Sequence, residues 1–300
     1  FFSVPRFYEK VWSSFSESRI GKFYLNRQPG LIKDTLKKIS RRGILKKAGL
    51  DRCAQLIVGS APVSDDLIWS YHDLGIEIYN AYGLTEAPLL TINRLKTNRI
   101  GTVGEPLPHT KIKIGSDGEV KVKGPQVMDG YYNIDSDSYF DDGWLFTGDF
   151  GHLTPEGSLI ITGRKKEMLV NSYGKTISPL KTESMLRDIP GVLEAMVVGD
   201  EKPYCTCLLW FDEEPVEIDR VNTAINVINA RVSKPEEIKK WVALRNDLSI
   251  ENGDLTANLK LKRGNIIDHY QDVIRYIYDD GIFPDIILHL QDMDDLHEKI

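Results

Sequence analysis

The sequence predicts an α/β part, then a β-rich part, and then a small α+β domain. Residues 55–79 have the pattern of a strand, a loop, a helix and a second strand, and residues 100–162 consist mainly of short alternating strands. After Lys166, helices and strands follow in mixed order. We therefore divide the chain into two domains, residues 1–165 and residues 166–300.

The composition is that of a soluble globular protein. Of the 300 residues, 41% are hydrophobic and 27% are charged, which excludes the disordered and fibrous classes. The formal net charge of −6 argues against nucleic acid as a partner. No apolar run approaches the roughly 20 residues that span a bilayer, so we expect a cytoplasmic protein.

The cysteine pattern does not indicate a disulfide framework. The chain has three cysteines, Cys53, Cys205 and Cys207. Because Cys205 and Cys207 are two residues apart on a predicted strand, their side chains should face the same side. We interpret them as small buried hydrophobic residues in a reducing compartment.

Residues 33–47 form a strongly basic segment that contains a single acid, Asp34. The cations are Lys33, Lys37, Lys38, Arg41, Arg42, Lys46 and Lys47. The ordinary interpretation is a solvated helix face. The alternative is contact with an anionic membrane surface, which would make the protein peripheral to a membrane.

Residues 55–79 are predicted to form a β-loop-α-β unit. Ser64 suits the N-cap of its helix, and Gly75 suits the end of that helix. Two strands joined by such a crossover run parallel, so the loops that follow them emerge at one edge of the sheet. Ligands of open α/β sheets bind at this edge.

The two loops at this edge carry polar groups that suit a ligand. The first loop is Gly59, Ser60, Ala61 and Pro62, and the second runs from Asn80 to Glu86. The second loop offers an aromatic ring that suits a base, a glycine for close approach and a hydroxyl that suit a phosphate, and a carboxylate that suits a metal ion. The alternative is a plain turn with a buried tyrosine.

A predicted hairpin places a carboxylate and a guanidinium at its open end. Its strands are residues 150–153 and 158–162, joined by a turn with Pro and Gly in favourable positions. If the strands pair next to the turn, Asp149 falls opposite Thr162 and Arg164 lies just past it. The two groups form either a surface ion pair worth about 0–1 kcal/mol or half of a ligand site.

The predicted small domain combines helices with two strands. Its predicted elements are a helix that begins at Pro179 after the cap Ser178, strands at 192–198 and 204–210, and helices near 217–232 and 262–278. The acidic C-terminal tail contains an apolar stretch, Ile282–Leu290, which we expect to dock on the body of the protein.

Short motifs between residues 48 and 275 resemble, in the same order, those of the adenylate-forming superfamily of acyl-CoA synthetases, luciferases and peptide-synthetase adenylation domains. The motifs are the loop Gly59–Pro62, Tyr82-Gly83-Leu84-Thr85-Glu86, the segment Gly124–Tyr131, Trp144 through Thr147-Gly148-Asp149, Gly163-Arg164-Lys165-Lys166, and the segment Leu255–Arg263. Each motif is weak alone, but their order and spacing make the resemblance strong. The phrasing is most similar to the long-chain fatty acyl-CoA synthetase branch.

The resemblance implies a fold and an activity. Residues 1–165 would be the C-terminal portion of a large adenylation domain, made of the βαβ unit and a distorted antiparallel β-barrel. Residues 166–300 would be the small mobile C-terminal domain. The implied activity is that of an acid–thiol ligase, in which ATP and Mg²⁺ convert a long-chain fatty acid to an acyl adenylate and CoA then receives the acyl group.

The resemblance also implies roles for residues of the first domain. Thr85 would hold a phosphate oxygen and Glu86 would bind Mg²⁺. Tyr82 would stack on adenine between Ala81 and Gly83, and Gly59, Ser60, Ala61 and Pro62 would line the base and ribose. Asp149 would accept the two ribose hydroxyls, and Arg164 would hold the ribose or a phosphate from the other side.

Three further roles are implied near and beyond residue 166. Lys260 would supply positive charge at the reacting phosphate. Lys166 matches the hinge about which the small domain rotates between the two half-reactions. Gly174 would let the backbone approach the pantetheine arm of CoA.

One element of the family pattern is missing from these 300 residues. The phosphate-binding loop, rich in Ser, Thr and Gly and ending in Lys, would lie upstream of Phe1. We therefore expect an incomplete enzyme that lacks its N-terminal half and is inactive alone. The alternative is a non-catalytic nucleotide-binding half that works with a partner chain. The presence of Glu86, Asp149, Arg164 and Lys260 together favours the enzyme.

Overall fold

The computed structural model describes residues 1–133, 139–211, 216–245, 248–257, 259–278 and 289–290. The chain divides into two compact units, Phe1–Lys165 and Lys166–Ile300. Each unit has its own sheets and its own buried clusters, and each is described separately below.

The first unit contains four helices and ten strands among its described residues. In chain order they are β1 (Phe2–Ser3), α1 (Pro5–Ser16), α2 (Arg19–Leu25), α3 (Leu31–Lys47), β2 (Leu56–Val58), α4 (Asp65–Asp73), β3 (Ile78–Tyr82), β4 (Thr91–Ile92), β5 (Glu105–Pro106), β6 (Lys111–Ile114), β7 (Glu119–Lys123), β8 (Phe140–Asp141), β9 (Trp144–Leu153) and β10 (Leu159–Arg164).

The predicted β-loop-α-β unit is present in the first sheet, whose strand order is β1-β2-β3-β4-β5. Strands β1, β2 and β3 run parallel, and α4 connects β2 to β3. The Ser64 side chain accepts a hydrogen bond from the Leu67 amide at 3.1 Å, so the predicted cap is confirmed. Gly75 adopts a φ of 74°, the left-handed conformation that ends many helices.

The second strand of this unit is longer than predicted at its carboxyl end. Asn80, Ala81 and Tyr82, which the sequence pattern assigns to a loop, continue β3. Ala81 and Tyr82 pair antiparallel with Ile92 and Thr91 of β4. Because this pairing depends on residues about ten positions away, the local pattern around Tyr82 does not indicate it. Tyr82 is therefore held by a strand, and the loop begins at Gly83.

The predicted β-rich part is a five-stranded antiparallel sheet. Its order is β10-β9-β7-β6, with β8 pairing beside β9. Apolar side chains of β7, β9 and β10, including Val120, Leu145 and Leu159, form a buried cluster with Ala87 and Leu90. The cluster contacts the segment after Tyr82, so the hydrophobic effect fixes this sheet against the loop that carries Thr85 and Glu86.

The second unit follows a short 3₁₀ helix at Lys165–Glu167 that spans the boundary. Its elements are β11 (Leu169–Val170), β12 (Thr176–Ile177), α5 (Pro179–Arg187), β13 (Val192–Val198), β14 (Cys205–Phe211), α6 (Ile218–Asn229), a 3₁₀ helix (Lys234–Glu236), β15 (Ile238–Arg245), α7 (Arg263–His269), α8 (Gln271–Tyr278) and β16 (His289–Leu290).

The central sheet of the second unit has the order β13-β14-β15-β16 and is covered on both faces. Alternate residues of β13, β14 and β15 enter two clusters, one with α5 and α6 and the other with α7 and α8. Cys205 and Cys207 lie in the same cluster, fully buried and unbridged, so the interpretation as small hydrophobic residues is confirmed. The α+β fold class is confirmed as well.

Two features of the second unit differ from the sequence expectation. The central strand β15 was not predicted, because its neighbours in the sheet are distant in sequence. The predicted helix at 262–278 is divided at Tyr270 into α7 and α8. Of the apolar tail stretch Ile282–Leu290, residues 289–290 pair with β15, and residues 282–288 lie outside the described residues.

Candidate functional site

The first candidate loop lies beside the end of β3. A Cβ atom added to Gly59 would come within 2.8 Å of the Ala81 carbonyl oxygen and 3.1 Å of the Phe2 ring. Glycine is therefore required here by close packing of the strand ends. The next residue, Ser60, has a φ of 68°, which is uncommon for a residue with a side chain and is typical of functional loops. Ser60 and Pro62 are exposed to solvent.

The second candidate loop is a tight turn that presents Thr85 to solvent. The amides and carbonyls of Leu84 and Ala87 hydrogen-bond to each other at 2.9 and 3.2 Å. A Cβ atom added to Gly83 would lie 2.2 Å from the Pro88 carbonyl oxygen. The fold of the loop itself therefore requires glycine at 83, independently of any ligand.

Glu86 is half-buried and has a hydrogen-bond partner that its sequence motif does not indicate. Its carboxylate accepts a hydrogen bond from the Tyr131 hydroxyl, and its carbonyl accepts one from the Met128 amide at 2.9 Å. The bond to the carboxylate is the main reason that the pKa of Tyr131 is raised to about 12. The motif around Gly130-Tyr131 carried the resemblance, but nothing local to it indicated contact with a residue 45 positions away.

The residues around Glu86 bear on metal binding. Among the residues that the structure describes, no group of three or more His, Cys, Asp or Glu side chains could hold a metal ion. Mg²⁺ is commonly held by one or two carboxylates together with substrate phosphates. Glu86 therefore suits an ion that arrives with a nucleotide, and the donor set does not form an all-protein metal site.

Asp149 is a buried carboxylate at the start of the hairpin. Its side chain is 8% exposed, and its Oδ2 atom accepts a hydrogen bond from the Tyr82 hydroxyl at 2.6 Å. Burial raises the pKa of Tyr82, and the charge of Asp149 raises it further. The phenol therefore stays protonated and donates its hydrogen bond throughout the physiological pH range.

Arg164 lies on the solvent side of this carboxylate. Its Nε atom is 3.8 Å from Asp149 Oδ1, and its side chain is 47% exposed. At this distance and exposure the ion pair contributes little to stability. The three groups Tyr82, Asp149 and Arg164 form what we call the hairpin clamp.

The register of the hairpin differs from the predicted one, in a way that matters for the clamp. Leu153 pairs with Leu159, and a bulge at Thr162 removes one residue from the pairing. As a result Arg164 lies directly opposite Asp149, whereas the predicted register has Thr162 there. The bulge could not be read from the alternating pattern, because it depends on the pairing of both strands.

In the second unit, Lys260 lies at the end of a tight turn. Leu255 pairs with Leu261, and the Thr256 amide donates to the Lys260 carbonyl at 2.8 Å. Leu259 has a φ of 57°, a left-handed conformation that closes the turn. Lys260 is exposed, and its ammonium group has no hydrogen-bond or ion-pair partner within the described part of the chain; Asn258 of the same loop lies outside it.

The base of the Lys260 turn is anchored on both sides. Before the turn, Asp254 is 1% exposed and its carboxylate lies 3.2 Å from Nδ1 of His269. After the turn, the Arg263 guanidinium pairs with Glu183 and donates to the Val197 carbonyl. The turn is therefore rigid at its base, and the basic residues near Lys260 are not all free surface cations.

Gly174 and Lys166 also lie in the second unit. Gly174 has a φ of 72°, and a Cβ atom added there would have no heavy atom within 4 Å. The backbone is thus accessible, and glycine is favoured by conformation alone. The turn around it is held by the buried side chain of Asn171, which accepts bonds from the amides of Tyr173 and Lys175. Lys166 is exposed and begins the second unit.

Contacts of the structure thus join some of the predicted site residues. Tyr82, Asp149 and Arg164 are in contact through the hairpin clamp, and Gly59 packs against Ala81. Thr85 and Glu86 lie in the turn that follows β3. Lys166, Gly174 and Lys260 belong to the second unit.

Comparison with known proteins identifies both units. The model of the AMP-binding enzyme family matches residues 1–132, and the model of the AMP-binding enzyme C-terminal domain matches residues 166–281. The long-chain-fatty-acid–CoA ligase FadD15 of Mycobacterium tuberculosis H37Rv is 32% identical over 92% of this chain and 54% of its own length. The ligase ACSBG2 of Xenopus laevis is 29% identical over 82% of this chain and 40% of its own length.

Solved structures show the same fold. The adenylation domain of a carboxylate reductase from Mycobacterium chelonae has a TM-score of 0.73 at 21% identity, covering 93% of this chain and 46% of that chain. O-succinylbenzoate coenzyme A synthetase from Bacillus subtilis, in complex with AMP, has a TM-score of 0.61 at 28% identity, covering 76% of this chain and 49% of that chain.

The chain spans about half the length of the curated relatives it matches. Its two units match the two parts of one enzyme family in the same order as the motifs. The chain belongs to the AMP-binding, adenylate-forming enzymes, among which its curated relatives are long-chain fatty-acid–CoA ligases.

Proposed function

We propose that this chain takes part in the ATP-dependent activation of a long-chain fatty acid and in its transfer to CoA. In the first half-reaction a carboxylate oxygen of the acid attacks the α-phosphorus of ATP, and the bond to pyrophosphate breaks. In the second, the sulfur of CoA attacks the acyl carbon, AMP leaves, and the thiol proton is released. The observation that carries the proposal is the hairpin clamp, in which a buried carboxylate faces a phenol and a guanidinium.

The hairpin clamp suits the ribose of a nucleotide. The carboxylate of Asp149 has acceptor capacity beyond the Tyr82 hydroxyl, so it can accept bonds from two ribose hydroxyls. Arg164 is exposed enough to turn toward a ribose or phosphate oxygen. The ring of Tyr82 and the residues Ala81 and Gly83, with the loop Gly59–Pro62, offer a surface for adenine.

The phosphates would meet the turn after β3. The exposed Thr85 hydroxyl can donate to a phosphate oxygen, and Glu86 would hold Mg²⁺ together with phosphate oxygens. When bound, the ion would neutralise the charge of the polyphosphate. Tyr131 keeps the Glu86 carboxylate oriented in the meantime by its hydrogen bond.

The second unit would supply the groups that change between half-reactions. Lys260 carries a positive charge on a turn whose base is anchored by Asp254 and Arg263. This positive charge suits stabilisation of the negative charge that develops at phosphorus. Rotation about Lys166 would exchange this turn for the Gly174 turn, whose open backbone suits the pantetheine arm of CoA. Fatty acid, ATP, Mg²⁺ and CoA are thus the proposed substrates and cofactor.

A second candidate is a non-catalytic half that binds nucleotide and works with a partner chain. It is favoured by one observation, the lack of a Ser/Thr/Gly-rich loop ending in Lys within the 300 residues. The first candidate is favoured by Lys260, because a binding module has no need of a cation on an exposed turn. Both candidates include nucleotide binding, so they are separated by chemistry rather than affinity.

The chain on its own is expected to bind AMP but not to activate a fatty acid. Without a glycine-rich loop to cradle the β- and γ-phosphates, in-line attack is not positioned, and positioning is a large share of phosphoryl-transfer catalysis. The measurement is fatty-acid-dependent ATP–pyrophosphate exchange by the 300-residue chain beside a full-length relative. Exchange at a rate comparable to that of the relative would contradict the incomplete-enzyme proposal and support a self-sufficient catalyst.

We also propose that the basic segment on α3 contacts an anionic membrane surface. Lys38, Arg41 and Arg42 are exposed, and so are the apolar side chains of Leu31 and Ile39 on the same helix. Cations beside exposed apolar groups suit peripheral contact with an anionic lipid surface. Among the described residues, no helix combines the length and the apolar character needed to cross a membrane.

The membrane proposal predicts a charge-dependent affinity for vesicles. Replacing Lys38, Arg41 and Arg42 with Gln should lower binding to phosphatidylserine-containing vesicles about 100-fold, since each cation near the surface contributes about 1 kcal/mol. The measurement is co-sedimentation at two salt concentrations. The matched control replaces the exposed Lys96, Lys111 and Lys181 with Gln, giving the same change in net charge. Equal losses in both triple variants would reduce α3 to an ordinary solvated helix.

A further inference from the structure

Glu119 is a buried carboxylate for which the proposed chemistry has no direct use. It is the first residue of β7 and is 6% exposed. Its Oε1 atom accepts a hydrogen bond from the Gly148 amide at 2.9 Å, and its Oε2 atom accepts one from the Lys165 ammonium group at 2.9 Å. Burying a charged carboxylate is unfavourable unless hydrogen bonds and ion pairs compensate for the loss of hydration. The two partners of Glu119 therefore indicate its role.

Both partners of Glu119 are sequence neighbours of the hairpin clamp. Gly148 immediately precedes Asp149, and Lys165 immediately follows Arg164. Since Arg164 lies 3.8 Å from Asp149, the contacts close a ring through Glu119, Gly148, Asp149, Arg164 and Lys165. The ring ties the two strands of the hairpin together at their open end, where the bulge at Thr162 interrupts regular pairing.

The surroundings of Glu119 hold the ring in place. Asp117 also accepts a hydrogen bond from Lys165, at 3.2 Å, and its Oδ1 atom accepts a second one from the Glu119 amide. The backbone bond from Glu119 and the bond from Lys165 lower the pKa of Asp117. The bonds that the Lys165 ammonium group donates to Glu119 and Asp117 raise the pKa of Lys165. Gly148 has a φ of 71°, so its peptide has a conformation that a side chain would disfavour.

We infer that Glu119 is a positioning residue for nucleotide binding: it fixes the peptide that carries Asp149 and, through Lys165, the backbone that carries Arg164. The inference rests on the proposed function in so far as the ligand is ATP or AMP. Glu119 itself does not touch the ligand. Its effect is to keep Asp149 and Arg164 facing each other across the hairpin.

The test compares Glu119→Ala, Glu119→Gln and Lys165→Met with the unaltered chain. Glu119→Ala leaves the Gly148 amide without its acceptor and should raise the Kd for AMP about 10-fold, the effect of one hydrogen bond to a charged group. Glu119→Gln keeps an acceptor for Gly148 and should restore most of this affinity. Lys165→Met should weaken AMP binding less than Glu119→Ala, because only one side of the ring is opened.

The matched control is Glu105→Ala. Glu105 is a partly buried carboxylate of the same unit, paired with Arg99 at 3.0 Å and outside the ring. It should lower stability without changing AMP affinity. A second measurement, hydrogen exchange of the amides at 147–150 without nucleotide, should show faster exchange in Glu119→Ala and slower exchange again in Glu119→Gln.

The outcomes separate the inference from the proposed function. If the unaltered chain binds AMP and Asp149→Ala loses it, while Glu119→Ala behaves like Glu105→Ala, the positioning role is wrong and the proposed function stands. If the unaltered chain binds neither AMP nor ATP, both are wrong. Should Glu119→Ala fail to fold, Lys165→Met carries the test, and unchanged AMP affinity together with unchanged exchange of the amides at 147–150 in that variant would overturn the inference.

Discussion

Replacing Lys260 with methionine should lower the rate of acyl-adenylate formation by about 100- to 1000-fold, the effect of removing one preorganised charge from a phosphoryl-transfer site. Methionine keeps the length and much of the apolar stem of lysine, so the turn should persist. Because Lys260 is exposed and has no ion-pair partner among the described residues, its loss should leave the melting temperature unchanged. The measurement is acid-dependent ATP–pyrophosphate exchange in the full-length protein.

The chain supplies a matched control for this variant two residues away. Lys262 is also exposed and lies on the same segment, so Lys262→Met changes the net charge equally. It should retain most of the activity. If both variants lose activity equally, or if Lys260→Met keeps it, Lys260 is one of several surface lysines and the proposed role is wrong.

Lys260→Met also tests the proposal that rotation about Lys166 exchanges the Lys260 turn for the Gly174 turn. If Lys260 serves the first half-reaction alone, Lys260→Met should still convert added acyl adenylate and CoA to acyl-CoA at a near-normal rate. A loss in both half-reactions would indicate that the turn has a general role in the fold of the second unit. The anchors at Asp254 and Arg263 make this outcome the less expected one, since they hold the base of the turn independently of Lys260.

The sequence predicted best what depends on neighbouring residues. The cap at Ser64 and the stop at Gly75 follow from local hydrogen bonds and backbone conformation, and the structure has both. Strand β15 was not predicted, since its position depends on pairing with β14, about thirty residues earlier. The end of β3 was placed too early for the same reason, because Ala81 and Tyr82 are strand residues only through β4.

The candidate site follows the same division. The proximity of Asp149 and Arg164 was predictable, because a hairpin brings its own open end together. The bulge that places them directly opposite each other was not, and neither was the bond between Tyr82 and Asp149, which are 67 positions apart. Glu119 had no visible role in sequence, since the glutamate opens a strand that alternates regularly. Its partners are defined only once β7 and β9 pair.

Replacing Asp149 with alanine should raise the Kd for ATP by about 100-fold or more, since two hydrogen bonds from the ribose to a charged acceptor are each worth about 1.5–3 kcal/mol. The effect on folding should be smaller. The buried Tyr82 hydroxyl loses its acceptor, which destabilises the fold by about 1–3 kcal/mol, while the loss of the half-exposed Arg164 contact contributes little. Calorimetric titration with ATP and thermal unfolding measure the two effects in one protein.

Tyr82→Phe separates the two consequences of that substitution. It removes the same bond between the phenol and the carboxylate, but it keeps Asp149 and the aromatic surface for adenine. It should therefore lower stability by a similar amount and leave most of the ATP affinity intact. If instead both variants lose stability alike and neither loses ATP affinity, Asp149 serves the packing of β9 against β3, and the hairpin clamp is not a nucleotide site. A large loss of affinity confined to Asp149→Ala would identify this carboxylate as the group that holds the ribose.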